Sequence, residues 1–123
     1  SLKPNEVSAY YYRGKARNIL ATETRNLSNI EREKLLVAAI RDFSKAIDLN
    51  SEDIKLYQNR ALSYRDYGVL KAQKIPKFYD KTKATEAFNM CIKDFQRVLD
   101  LNPGRKDITS QLDNAREYLQ NIK

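Results

Sequence analysis

The chain has 123 residues, the length of one domain, with 41% hydrophobic and 32% charged residues, enough for a core under a well-solvated surface. Gly and Pro number only three each, which excludes a loop-rich or sandwich fold and points to long helices. Lys and Arg number 23 against 16 Asp and Glu, a net charge of +7 that attracts acidic partners only non-specifically.

Five helices can be read in chain order. Pro4 suits a first helical turn, and Val7, Tyr10 or Tyr11, Gly14 and Ala21 follow at helical spacing, so the first helix is placed at about 5–24. "SNIE" at 28–31 is a capping-box pattern, in which hydroxyl and carboxylate each satisfy a free amide at a helix start. The second helix then covers about 29–49, with Leu36, Ile40, Phe43 and Ile47 on one face. "NSED" at 50–53 opens the third, whose stripe is Ile54, Tyr57, Ala61 and Tyr64; Gly68 falls within or near its end and Pro76 is a firm stop. Asp80 caps the fourth, with Ala84, Phe88, Cys91, Phe95, Val98 and Leu99 recurring at three and four, and "NPG" at 102–104 breaks it. The fifth starts near 106 and carries Ile108, Leu112, Ala115, Leu119 and Ile122. No apolar run reaches membrane-spanning length and no secretory apolar segment is visible. The chain starts at Ser1 rather than Met, which reads as an excerpt or processed form of a longer protein.

"AIRDFSKAIDLNS" (39–51) and "CIKDFQRVLDLNP" (91–103) align without a gap at an offset of 52. Composition alone does not preserve order over thirteen positions, so this is an internal repeat. It extends upstream, where "YYYRGKA" (10–16) stands against "YQNRALSY" (57–64): Tyr10 matches Tyr57, Arg13 matches Arg60 and Gly14 matches Ala61. An aromatic, a small residue four later, a second helix of form small-x-x-x-Phe-x-x-small and a closing Asn-Pro resemble the tetratricopeptide repeat, which stacks helix hairpins of about 34 residues. The resemblance covers nearly the whole chain. It implies an all-α fold, a right-handed superhelix of antiparallel hairpins, with repeat one at about 5–51, repeat two at about 52–103 and a capping helix at about 106–122.

In that register Gly14 and Ala61 let the two helices of each hairpin approach, Ala39 and Cys91 are the facing small residues, and Phe43 and Phe95 fill the space between hairpins. Ser51 replaces the closing proline in the first copy, and Arg17 stands where a second aromatic is common. Both hairpins are also long. Gly14 to Ala39 spans 25 positions and Ala61 to Cys91 spans 30, against about a dozen in an ordinary repeat. The extra chain is either longer helices and tolerated loops, or a binding element at that edge.

No catalytic constellation is present. There is no His, the commonest general base and metal ligand. Three glycines build no phosphate-cradling loop and one Cys builds no zinc site, so neither cofactor nor metal is expected. Cys91 is expected to be a small buried hydrophobe, and Asp42 and Asp94 to partner nearby bases on solvated faces.

The resemblance instead implies protein–protein binding in a concave groove lined by the first helix of each hairpin. Carried over position by position, the groove residues are Tyr11, Tyr12, Lys15 and Asn18, then Lys55, Gln58, Asn59, Leu62 and Arg65, with Asp107, Gln111 and Asn114 on the fifth helix. Tyrosines, amides and cations suit an extended peptide. Tyr10 is expected in the core on its match with Tyr57. One branch of the family clamps a C-terminal carboxylate; Asn59 matches one of its asparagines, but Tyr11, Lys15, Asp107 and Gln111 stand where its other ligands would be, so carboxylate capture is not implied. Two further readings stand beside the groove. The basic stretch Lys71, Lys74, Lys77, Lys81 and Lys83, with Phe78 and Tyr79, suits RNA or another anionic surface. The third reading is a structural one, with the repeats stacking on neighbouring repeats or on another copy. An adaptor or co-chaperone-like module of the cytoplasm is the expectation.

Overall fold

The computed structural model describes residues 4–122 as five helices, α1 Pro4–Glu23, α2 Asn29–Leu49, α3 Ile54–Ala72, α4 Lys81–Leu101 and α5 Lys106–Gln120, with no strand among those residues. Each helix packs antiparallel on the next, and the pairs α1·α2 and α3·α4 are the most intimate.

The starts follow local chemistry. Ser28 Oγ accepts the Glu31 amide at 3.1 Å, Asp53 accepts the Lys55 amide at 3.2 Å and Asp80 accepts the Lys83 amide at 3.0 Å. The reciprocal half of the capping box differs from expectation: the Glu31 carboxylate accepts from the Ser28 hydroxyl itself, at 3.0 Å. Arg32 closes the α1–α2 turn by donating to the carbonyls of Ala21, Thr24 and Arg25, which the end of α1 leaves unpaired. The Tyr57 hydroxyl donates to the Ser51 carbonyl and ties the next turn, where the first copy has Ser51 against Pro103 of the second.

The internal repeat is present in three dimensions. α2 and α4 end alike: Asn50 (φ −150°, ψ 87°) bonds back to Ala46, and Asn102 (φ −148°, ψ 87°) bonds back to Val98. Arg13 grips Asp42 through Nε and Nη2, and Arg60 grips Asp94 in the same way at 2.8 Å for both bonds. Both aspartates are buried, not on solvated faces as expected, because each A-type helix delivers a guanidinium to them from across the hairpin. Arg17 adds a second cation to Asp42 at 2.8 Å.

The extra length lies mainly in the helices. They run 20, 21, 19 and 21 residues, joined within each hairpin by the short stretches 24–28 and 73–80. The elongation repeats one packing rule two turns further on. Gly14 faces Phe43, and seven residues along Ala21 packs with Leu36. In the second hairpin Ala61 and Phe95 share the main core, and seven residues along Gly68 faces Phe88. A side-chain carbon on Gly14 or Gly68 would stand 2.9 Å from the facing ring. The main core joins Val7, Tyr11, Phe43, Leu56, Phe95, Val98, Ile108 and Leu112, and the smaller cluster of Ala21, Leu36 and Leu70 fills the extension.

Candidate partner-binding face

α1 touches α3, and α3 meets the residue that opens α5, among the residues expected to contact a partner. α1 meets α3 through Asn18, whose Oδ1 accepts the Ser63 hydroxyl at 2.6 Å and whose Nδ2 donates to Asp66 at 3.3 Å. α3 meets the start of α5 through Arg105, which donates to Gln58 Oε1 at 3.3 Å and to Asp107.

The ten candidate residues divide into four groups. Tyr11 is buried and packs on Phe43, so it is a floor rather than a free contact. The sequence register puts Tyr10 in the core instead, but Tyr10 is half-buried at the core edge. One residue turns a helix face by about 100°, and the helix crossing selects Tyr11. Asn18, Gln58 and Arg65 are engaged within the protein, Arg65 with Asp66 at 3.2 Å, and Leu62 packs on the main core. Tyr12, Lys15, Lys55 and Asn59 remain to meet a partner, with Lys55 also paired to Asp53 at the start of its helix at 3.0 Å. Tyr12 is 66% exposed and stands edge-on to Tyr11, with ring centres 5.1 Å apart. The Lys15 and Lys55 ammonium groups, from two helices, lie 5.5 and 5.3 Å from the Tyr11 ring centre. Asn59 Nδ2 donates to the Lys55 carbonyl at 2.8 Å. Gln111 Oε1 is buried on α5 with no hydrogen-bond partner.

The basic stretch does not form one exposed edge. Lys71 is buried: its ammonium lies 3.2 Å from Glu33 and 3.8 Å from the Phe78 ring centre. Tyr67 donates to the same Glu33 carboxylate at 3.0 Å, and burial together with that bond pushes its phenol above the usual value. This cluster pins α3 to α2 in the elongated region, and the Lys71 carbonyl takes the Asp80 amide. Lys74 lies over Tyr79, with 3.9 Å from ammonium to ring centre. Lys77, Lys81 and Lys83 are exposed, and Lys77 takes a left-handed φ of 66° in the turn.

Cys91 is buried, and burial pushes its thiol up to about 12, as suits a packing residue. Among the described residues no group of three or more His, Cys, Asp and Glu stands ready to hold a metal ion, and no helix is long and apolar enough to cross a membrane. Sequence reasoning missed a cleft of about 380 Å³ on the α2·α4 side, lined by Val37, Ile40, Tyr64, Tyr67, Ala87 and Met90. The spacing of Tyr64 and Tyr67 is the available signal in the sequence, where Tyr64 counts as part of the α3 stripe. No protein-family profile matches the chain, and no curated protein matches it either.

Proposed function

We propose that the protein is a tetratricopeptide-like protein–protein interaction module, without catalytic activity, whose hairpins stack into a right-handed superhelix and whose α1, α3 and α5 line the groove for an extended peptide. The single observation that carries the binding reading is the surface around Tyr11. Two ammonium groups from two helices, Lys15 and the Asp53-paired Lys55, gather there with an exposed tyrosine and an asparagine whose amide nitrogen bonds the Lys55 carbonyl. Such a surface offers rigid aromatic area, a backbone-bonding amide and attraction for acidic side chains. The family reading is supported by the repeated Arg–Asp pairs, the repeated small-on-aromatic contacts and the repeated Asn ends. The RNA reading is weaker, because Lys71 belongs to the buried Glu33–Tyr67 cluster.

The test is selection of peptides from a displayed library on the 123-residue chain, followed by titration of the best binder against variants. Tyr12→Ala and Asn59→Ala are expected to weaken binding at least fivefold each with the melting temperature unchanged. Loss of binding on replacing Lys77, Lys81 and Lys83, with a steep salt dependence and no effect of the groove variants, would move the site to the basic turn and reject the groove.

A further inference from the structure

α1 is apolar on two opposite faces. One face, with Val7, Tyr11, Gly14 and Ala21, is buried against α2 and α3. The opposite face carries Ala9, Tyr12, Ala16, Ile19 and Leu20, all exposed, with Ile19 at 48% and Leu20 at 51%. Among the described residues, three of the five exposed large hydrophobic side chains lie on this one stripe. An exposed apolar stripe on a helix whose other apolar face is already buried marks an interaction surface.

The rest of the chain says how such a face is covered. In α3 the repeat-equivalent positions of Ala9 and Ala16 are Leu56 and Ser63, both fully buried. That face is closed by the preceding hairpin: Ser63 bonds Asn18, and Leu70 packs with Ala21 and Leu36. The face of α1 is therefore a helix-docking face that nothing among the described residues covers. The other end of the molecule is finished differently. α5 buries Ile108, Leu112 and Ala115 and turns Lys106, Thr109, Ser110, Asp113, Glu117 and Gln120 outward. Apart from Tyr118, that outer side offers no apolar stripe to match the one on α1.

We propose that the α1 face binds the α1 face of a second copy, antiparallel about a two-fold axis. Head-to-tail stacking would set the α1 stripe against the polar side of α5, whereas among the described helices an equally apolar outer stripe is found only on another copy of α1. The stripe is also self-complementary. Its small residues Ala9 and Ala16 alternate with the large Tyr12 and Ile19, so antiparallel pairing sets Ala16 against Tyr12 and Ala9 against Ile19 of the mate. The pairing closes on itself and yields dimers, not fibres. From Ala9 to Leu20 the stripe is about 17 Å long, so the contact is small and the dimer is expected to dissociate in the range of about 1–100 μM.

Sedimentation equilibrium of the full chain between about 1 μM and about 500 μM tests this. The weight-average mass is expected to rise from 14.3 kDa toward twice that value. The double variant Ile19→Asp, Leu20→Asp and, separately, Ala16→Lys are expected to raise the dissociation constant at least tenfold with helicity by circular dichroism unchanged. Ser110→Asp on α5 should leave it unaltered. A wild-type chain that stays monomeric throughout overturns the proposal, and so does a dimer that survives the α1 variants or is lost in Ser110→Asp. None of these four positions belongs to the peptide-contact set; Tyr12 is shared, so peptide binding and pairing compete there, and failure of the pairing leaves the groove reading standing.

Discussion

Gly14→Ala is the sharpest probe of the architecture because two opposing effects act on it. Gly in a helix interior is about 1 kcal/mol worse than Ala, so at an open position the substitution stabilises by about that amount. Here the new carbon would stand 2.9, 3.0 and 3.1 Å from Cε1, Cζ and Cδ1 of Phe43, where ordinary contact begins near 3.4 Å. The ring cannot step aside, since Phe43 is fully buried and also packs on Tyr11. Overpacking of this kind costs about 1–3 kcal/mol, so the net expectation is a loss of about 0–2 kcal/mol, or a fall in melting temperature of up to roughly 10 °C. Urea and thermal melts of Gly14→Ala, Phe43→Leu and the double variant separate the two effects. With the ring removed, Gly14→Ala should recover its helix preference and stabilise, giving a coupling of at least about 1 kcal/mol between the sites. A wild-type background in which Gly14→Ala stabilises by about 1 kcal/mol, with no coupling to Phe43, would refute the close approach and with it the repeat register.

Further outcomes follow from the same contacts. Arg60→Ala strands the buried Asp94 carboxylate and should cost about 3–5 kcal/mol, whereas Arg13→Ala leaves Arg17 on Asp42 and should cost about 1–2 kcal/mol; equal losses in chemical denaturation would contradict the unequal pairing. Burial holds the Asp94 carboxyl above the ordinary range, against the opposing pull of Arg60. The folded state therefore binds that proton more tightly, and this group's contribution to stability grows as pH falls from the raised value to the ordinary one. Carboxyl carbon titration by NMR should place Asp94 above Asp107, whose hydrogen bond from Arg105 lowers it; the reverse order would show that desolvation does not dominate at Asp94. Cys91 should resist alkylation at pH 8 in the folded protein and react at once in denaturant, while rapid native labelling would mean that the α3·α4 core opens readily. Lys71→Ala should lower stability by about 1–3 kcal/mol and Lys81→Ala should change it little, measured by urea melts; equal small effects would mean that the Glu33–Tyr67–Lys71 cluster contributes nothing.

The helices and their starts were legible in one dimension because they are decided within about four residues. The hydroxyl of Ser28 and the carboxylates of Asp53 and Asp80 bond amides two or three positions on, and the apolar stripes recur within each helix. The ordered repeat was legible too, and it carries the contacts of Gly14 with Phe43. What the tertiary structure alone decided concerns residues far apart in the chain. Asp42 and Asp94 looked like surface charges because an isolated carboxylate belongs in water; they are buried because Arg13 and Arg60 arrive from the facing helix, 29 and 34 positions away. Lys71 looked like one more cation of a basic run and is buried for the same reason, with Glu33 waiting on α2. At the candidate face, the residue types were readable but their availability was not. Asn18 is engaged by Ser63 and Asp66, and Tyr11 instead of Tyr10 turns inward, because the crossing of α1 over α2 and α3 sets which side of a helix is covered. A periodic pattern says that a face is apolar; only the packed neighbours determine whether that face, as on the outer side of α1, is closed or left open.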